Sequence, residues 1–141
     1  PGVSPALDVA IHFRACFGVG GDYLDVIEAP GGRVLLAVAD VCGKGMQAAL
    51  MSASVRTFVH AATSTGIELV PMMDRLNGYL ARALPLGSFV TMIVALLDPA
   101  TGEVTLVNAG HPPPILLRGG VARLVDGEPN LPLGIDDRPY E

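Results

Sequence analysis

Residues 38–46, VADVCGKGM, place the carboxylate of Asp40 where an apolar run ends and a glycine-rich turn begins. An earlier stretch at residues 18–26, GVGGDYLDV, places Asp22 in the converse position, between glycines and the start of an extended run. Two acidic side chains therefore stand at junctions between apolar segments and glycine turns, and their relation in space decides how this part of the chain is interpreted.

The chain between these two carboxylates has the pattern of a β-hairpin. Residues 23–28 form one extended run, APGGR supplies a turn, and residues 34–39 form a continuous apolar strand. In an antiparallel pair, the start of the first strand lies beside the end of the second. The pattern therefore predicts that Asp22 and Asp40 are neighbours in space.

Two interpretations of this carboxylate pair remain open from the residues alone. Asp and Gly are the residues that turns favour, so both positions are compatible with simple turn chemistry. Two ionised carboxylates held close together also need a positive charge between them, and oxygen ligands suit Mg²⁺ and Mn²⁺. Gly43 and Gly45 would permit a tight turn that brings a backbone carbonyl, that of Val41, to such a metal.

The composition limits the classes of protein to which the chain can belong. A chain of 141 residues, half of them apolar and 16% charged, is expected to fold as a single domain over residues 1–141, with residues 1–6 as the end of a linker. The net charge of −5, with nine scattered basic residues, argues against nucleic acid as a partner. No apolar run has the length of a membrane span, and residues 1–9, PGVSPALDV, do not have the charged and then apolar layout of a signal peptide, so we expect a cytoplasmic protein with Cys16 and Cys42 reduced.

The remaining segments predict an α+β fold with helices layered on an antiparallel sheet. We expect a buried helix with a broad apolar surface after Gly45, and a second helix whose methionines fill the core. We also expect the strand at residues 103–109 to turn Val104, Leu106 and Ala109 inward. The second helix is predicted at residues 69–84, and the further strands at residues 7–13, 89–97, 103–109, 115–117 and 121–125.

Three blocks of the sequence resemble a known family. VGGDYLDV, VADVCGKGMQAALMSA and FVTMIVALLDPATGEVTLVNAGHPPPILL, in this order, resemble the PPM-type metal-dependent serine/threonine phosphatases in their bacterial SpoIIE-like or RsbU-like branch. The resemblance runs over residues 9–135. It implies an α-β-β-α sandwich of antiparallel sheets flanked by helices, with two Mn²⁺ or Mg²⁺ ions at one edge.

The resemblance also implies roles for individual residues. Asp22 matches a ligand of one metal, Asp40 matches the bridging ligand, and Val41 matches the position that supplies a backbone carbonyl. Water between the metals would attack phosphoserine or phosphothreonine directly. The implied substrate is a phosphorylated anti-anti-sigma-type regulator, and the implied partner is an upstream sensor domain.

One departure from the family pattern qualifies this expectation. A later Ser/Thr-Asp-Gly block supplies a further metal ligand in the family, whereas this sequence ends at Glu141, and Asp136 and Asp137 are not flanked in that way. We therefore expect a phosphatase domain without its C-terminal strands and some ligands. The alternative is a catalytically incomplete domain that acts as a regulatory protein-binding module. Exposed sheet edges would also favour a homodimer.

Five other polar residues near these motifs have less specific expectations. Asp25 should face away from Asp22 and act as a supporting or surface carboxylate. Lys44 is equally compatible with a phosphate contact and with a solvated loop. We expect His111 to be a loop histidine with a structural hydrogen bond instead of a general acid, Asn108 to be a turn residue, and Cys42 to be a small turn residue without a nucleophilic role.

Overall fold

The computed structural model of the chain describes residues 7–14, 20–125, 127, 130–136 and 138–140. The predicted linker at residues 1–6, together with Cys16 and Asp137, lies outside the described residues. The secondary structure consists of β1 (Asp22–Ala29), β2 (Arg33–Val41), α1 (Met46–Ser64), α2 (Leu69–Ala83), β3 (Val90–Asp98), β4 (Glu103–Ala109), β5 (Ile115–Arg118) and β6 (Val121–Leu124).

Both sheets are antiparallel, which confirms the predicted α+β fold. The larger sheet has the strand order β1-β2-β3-β4, and β5 and β6 form a separate two-stranded sheet. The predicted hairpin is the pair β1 and β2, joined by a short 3-10 turn at Pro30–Gly32. In the part of the chain that the structure describes, no helix is long and apolar enough to cross a membrane.

Both helices pack on one face of the larger sheet. Alternate residues of β2 point into this layer, and α2 contributes its apolar stripe, so that large side chains are almost fully removed from water. Burial of one such side chain stabilises the fold by roughly 1.5–3 kcal/mol. The core includes Leu35, Ala37, Ala39, Val55, Val59, Met72, Met73, Leu76 and Leu80. The prediction that the methionines of α2 fill the core is confirmed.

The opposite face of the larger sheet, called here the open face, is also apolar. Its side chains follow from the register of the strands, and all of those named below except Val34 and Ile93 are partly exposed. They include Leu24, Val26, Val34, Leu36, Val38, Ile93 and Ala95. Asp22 and Asp40 belong to the same face, at one end of the sheet.

The predicted strand at residues 7–13 is not formed. Residues 7–14 have no regular secondary structure, and Ile11 and Phe13 are more than half exposed. A strand requires hydrogen bonds to a neighbouring strand, and no described strand pairs with this segment. Alternation of apolar residues was therefore not sufficient to make it a strand.

Two predicted inward faces were also wrong. The α1 helix buries only one side, while Met46 and Leu50 on the other side are 66% and 63% exposed, because α1 is the outer layer of the molecule. In β4, Ala109 points toward the helices as predicted, together with Val107. Val104 and Leu106 instead point to the open face, and Val104 is 55% exposed. The period of two in a strand puts Val104 on the side opposite to Val107.

Candidate functional site

Asp22 and Asp40 are directly opposite each other in the β1–β2 pair. Side chains at directly opposed positions of an antiparallel pair have their Cβ atoms about 4.5–5.5 Å apart and point to the same face. Both residues are exposed at the end of the sheet. The predicted proximity of the two carboxylates is thus confirmed, and we refer to Asp22 and Asp40 as the carboxylate pair.

The electrostatics of the carboxylate pair make its full ionisation unfavourable. Partial burial raises the pKa of Asp40, and the negative charge of Asp22 and a hydrogen bond between the two carboxyl groups raise it further. The nearby imidazole of His111 acts in the opposite direction. A cation bound between the two carboxylates would remove this repulsion, since opposite charge favours the ionised forms.

The Val41 carbonyl lies beside the start of β1. A Cβ atom added to Gly21 would come within 2.7 Å of the Val41 carbonyl oxygen, and the Val41 N–H donates to the Gly21 carbonyl oxygen at 3.4 Å. Only a residue without a side chain permits this approach. The three residues singled out by the resemblance, Asp22, Asp40 and Val41, are therefore brought together, and Gly21 is the residue that sequence analysis missed.

The turn after β2 requires glycine at two positions. Gly43 and Gly45 have φ values of 115° and 72°, in the region that disfavours residues with a side chain. The Cys42 N–H donates to the Phe89 carbonyl oxygen at 2.9 Å, which holds the first residue of the turn against the chain before β3. Cys42 and Lys44 are both exposed on this turn, and the choice between a phosphate contact and a solvated role for Lys44 remains open.

The α1 helix holds the start of β1 in place. The Ser52 hydroxyl, only 8% exposed as a residue, donates to the Asp22 carbonyl oxygen at 3.3 Å. A groove of about 470 Å³ borders Asp22 between α1 and the segment that contains Ile11 and Phe13. The carboxylate pair is thus accessible from outside while its backbone is fixed by a helix.

Asp25 lies on the helix side of β1, away from the carboxylate pair, as predicted. Its Oδ2 atom is 2.7 Å from Nε2 of His60 and 3.3 Å from Nε of Arg56, both on α1. A carboxylate with two such partners joins β1 to α1 and is not available to a group bound at Asp22.

His111 lies close to the carboxylate pair, which sequence analysis did not foresee. Its Nδ1 atom is 2.9 Å from the Thr91 hydroxyl, and Thr91 is the residue directly opposite Asp40 on β3. Burial lowers the pKa of His111, and the charges of Asp40 and Asp22 act against this shift. The expected structural hydrogen bond of His111 is confirmed; the polar Thr91 within the apolar run FVTMIVALL was the signal that could have located it.

The backbone around His111 is held by Asn108, as expected for a turn residue. The Asn108 side chain donates to the His111 carbonyl oxygen and accepts from the His111 N–H, both at 2.8 Å. Between them, Gly110 has a φ of 66° and packs against Pro132, whose Cγ would be 2.6 Å from an added Cβ. The loop that carries His111 is therefore fixed on both sides.

No third acidic ligand joins the carboxylate pair in the part of the chain that the structure describes. Among the described residues, no three or more His, Cys, Asp or Glu side chains are grouped so that they could hold a metal ion. The Asp136 carboxylate instead accepts from Nε of Arg138 at 2.6 Å, and the hydrogen bonds from Arg138 lower its pKa. Two carboxylates and a carbonyl supply part of the oxygen coordination of a hard cation, and Mg²⁺ in proteins usually completes its coordination with water.

Comparison with solved structures gives the class of the fold. The chain is similar to the PP2C phosphatase domain of SpoIIE from Bacillus subtilis, with a TM-score of 0.76 and 22% identity over 87% of this chain and 36% of that chain. It is also similar to the RsbU and RsbW domains of a Mycobacterium tuberculosis protein, with a TM-score of 0.78 and 32% identity over 91% of this chain and 36% of that chain. The fold is that of PP2C-type phosphatase domains.

The family follows from the sequence comparison. The family model for stage II sporulation protein E (SpoIIE) matches residues 30–141, and the chain belongs to this family. It is 28% identical to the phosphoserine phosphatase RsbU of Bacillus subtilis over 77% of this chain, and 28% identical to the stage II sporulation protein E of Priestia megaterium over 83%. The chain spans 32% and 20% of the lengths of these two relatives.

Proposed function

We propose that this chain is part of a metal-dependent protein phosphatase that hydrolyses phosphoserine or phosphothreonine. The observation that carries the proposal is the in-register pairing of Asp22 with Asp40 beside the Val41 carbonyl. Membership of the SpoIIE family supports it, since the relatives RsbU and RsbP are phosphoserine phosphatases.

The residues present fit a divalent cation in their chemistry. Asp22 and Asp40 would hold Mn²⁺ or Mg²⁺ through carboxylate oxygens, Asp40 as the bridging ligand between two ions, and Val41 would contribute its carbonyl oxygen. A cation bound there would supply charge neutralisation and an activated water. The raised pKa of Asp40 is consistent with this role, because partial burial and the charge of Asp22 outweigh the opposing effect of His111.

The finer parts of the proposal concern the biological setting. We propose that the substrate is a phosphorylated anti-anti-sigma-type regulator, that an upstream sensor domain controls the activity, and that both act in the cytoplasm. The support comes from relatives named for sporulation and for phosphoserine phosphatase activity.

The first experiment is hydrolysis of p-nitrophenyl phosphate by the chain across a Mn²⁺ titration. We expect turnover that depends on Mn²⁺ and is lost in Asp40→Asn. The matched control is Glu28→Gln, an exposed carboxylate on the same strand and face but at the far end of β1. Equal activity in Asp40→Asn and in the wild type would contradict the assignment of Asp40.

A second candidate function is a regulatory protein-binding module without catalytic activity. The absence of a third acidic ligand among the described residues favours it. A folded chain that binds a phosphorylated regulator in a pull-down, yet neither binds Mn²⁺ in calorimetry nor turns over substrate, would support this function over the phosphatase.

A further inference from the structure

We propose that His111 is a catalytic residue of this site, and that its Nε2–H group donates a hydrogen bond to a phosphoryl oxygen of the substrate. The inference rests on the proposed phosphatase function and extends it to a residue that the carboxylate pair does not include. Three observations carry it: the position of His111, the single described partner of its ring and the rigidity of its loop.

The position follows from the register of the sheet. Asp22, Asp40 and Thr91 occupy directly opposed positions on β1, β2 and β3, so their side chains form one row on the open face. Neighbouring strands are about 4.8 Å apart, and the His111 ring is held by the Thr91 hydroxyl at 2.9 Å. Burial lowers the pKa of this ring, and the charges of Asp40 and Asp22 both act to raise it. A tetrahedral phosphoryl group bound at the carboxylate pair would therefore have the imidazole at its flank.

In the part of the chain that the structure describes, only one nitrogen of the His111 ring has a protein partner. Nδ1 is 2.9 Å from the Thr91 hydroxyl, whereas Nε2 has no hydrogen-bond partner among the described residues. No buried side-chain nitrogen or oxygen in that part of the chain is without a partner, so Nε2 is accessible to solvent. Nε2 is therefore available to a bound phosphoryl oxygen.

The tautomer follows from the chemistry of the ligand. When the Thr91 hydroxyl donates to Nδ1, the proton of the neutral ring resides on Nε2, which is then a donor. A phosphoryl oxygen can only accept, so a bound phosphoryl group selects this tautomer over the alternative. Burial favours the neutral ring, which agrees with a donor that acts without carrying a full charge.

The loop that presents the ring is held in advance. Asn108 makes two hydrogen bonds with the His111 backbone, and Gly110 packs against Pro132 without room for a side chain. A donor fixed before the substrate binds costs little reorganisation during the reaction, and this is how such donors contribute most to catalysis.

The experiment compares two amide substitutions that mimic different ring nitrogens. The amide of Asn occupies the position of Nδ1, and that of the longer Gln reaches the position of Nε2. We expect His111→Asn to lower kcat/KM by about 100–1,000-fold, the range found for the loss of one donor to a developing charge. We expect His111→Gln to recover most of that loss, with Mn²⁺ affinity and thermal unfolding unchanged in both variants.

A second readout separates this inference from the proposed function. Inorganic phosphate is added to the Mg²⁺-loaded chain, and the ¹⁵N resonances of the His111 ring are followed. We expect phosphate to shift Nε2 in the wild type and, as a control on the partner of Nδ1, to shift it less in Thr91→Val. A shift without turnover of p-nitrophenyl phosphate would support His111 as a phosphate donor while contradicting the phosphatase activity of the chain.

The inference is overturned by either of two results. Equal kcat/KM in the wild type, His111→Asn and His111→Ala would show that the ring does not contact the reacting group. An unchanged Nε2 resonance at saturating phosphate, in a chain that binds Mg²⁺, would show the same independently of turnover. Loss of activity in Asp40→Asn together with full activity in His111→Asn would leave the proposed function intact and reject His111 alone.

Discussion

At the scale of single residues, Gly21 matters because it lets the Val41 carbonyl approach β1. An added Cβ would lie 2.7 Å from the Val41 carbonyl oxygen and 3.3 Å from Cβ of Ala48, so the backbone of the β2 end must move. We expect Gly21→Ala to lower the free energy of unfolding by about 1–3 kcal/mol, the usual cost of overpacking. Mn²⁺ affinity, measured by calorimetry, should fall as well.

The neighbouring Gly20 provides the control for this prediction. A Cβ at Gly20 would meet only the Asp22 nitrogen, at 4.0 Å, so Gly20→Ala should leave both stability and Mn²⁺ affinity close to the wild-type values. If Gly21→Ala also left both the stability and the Mn²⁺ affinity unchanged, the close approach of the Val41 carbonyl to Gly21 would contribute to neither.

The raised pKa of Asp40 leads to a prediction about how the free energy of unfolding depends on pH. Its pKa is raised in the folded chain, so the folded state keeps this proton to higher pH than the unfolded state does. The free energy of unfolding of the metal-free chain therefore falls as the pH rises from about 4 through the raised pKa. We expect Asp40→Asn to stabilise the metal-free chain at pH 7 by about 0.2–1 kcal/mol, the range for cross-strand pairs.

Urea unfolding in the presence of a chelator, at pH 7 and at pH 4, measures this effect. The difference between Asp40→Asn and the wild type should shrink at pH 4, where a larger fraction of Asp40 is protonated in the folded chain than at pH 7. A variant that is less stable than the wild type at pH 7 would show that the carboxylate pair is not repulsive without a metal.

At the scale of elements, α2 holds the segment that follows the hairpin of β5 and β6. Asn77, which is 3% exposed, donates to the Asp136 carbonyl oxygen and accepts from the Gly134 N–H, both at 2.7 Å. We expect Asn77→Ala to lower the free energy of unfolding by about 1–3 kcal/mol, because two backbone groups lose their partner. Chemical denaturation measures the loss.

Arg75→Ala is the matched control on the same helix, since Arg75 is exposed. It should change the stability by less than about 0.5 kcal/mol, as is usual for surface positions. Equal effects of the two alanine substitutions would mean that the contacts of Asn77 contribute nothing beyond helix propensity.

The elements themselves were largely predictable, because most of them have a local cause. Three local patterns each identified an element that the structure contains. They are APGGR for the hairpin of β1 and β2, the glycine turn after Asp40 for the start of α1, and the apolar stripe for α2. Residues 7–13 have an equally regular pattern but no described strand beside them. The exposed side of α1 could not be predicted either, because the apolar residues of a helix do not show how many neighbouring strands or helices will cover them.

The proximity of His111 to the carboxylate pair could not be predicted for a different reason. It depends on β3 lying next to β2 with Thr91 opposite Asp40, and on the direction of the chain after β4. Neither is encoded in a local pattern, whereas the proximity of Asp22 to Asp40 follows from a single hairpin.

At the scale of the whole molecule, the open face leaves apolar area in contact with water. Val26 lies on this face in β1, whose described partner is β2 alone. Unpaired edges and apolar patches favour association. We therefore expect the isolated chain to self-associate, which sedimentation velocity over a range of concentrations detects.

A charge on this face should oppose the association. We expect Val26→Lys to shift the chain toward monomer, while Gln47→Lys, which adds the same charge on the exposed side of α1, should not. A wild-type chain that stays monomeric at every concentration would remove the reason for the homodimer expectation.

The position of Asp22 and Asp40 on one hairpin has a consequence for the order of assembly during folding. Hairpins close in about 1–10 μs, whereas pairings between distant segments are slower because a longer loop must be closed first. The two carboxylates therefore meet before β3 and β4 dock, at a stage when their mutual repulsion works against closure. A divalent cation present at that moment would favour the closed hairpin, and so would act as a folding ligand before any substrate is bound.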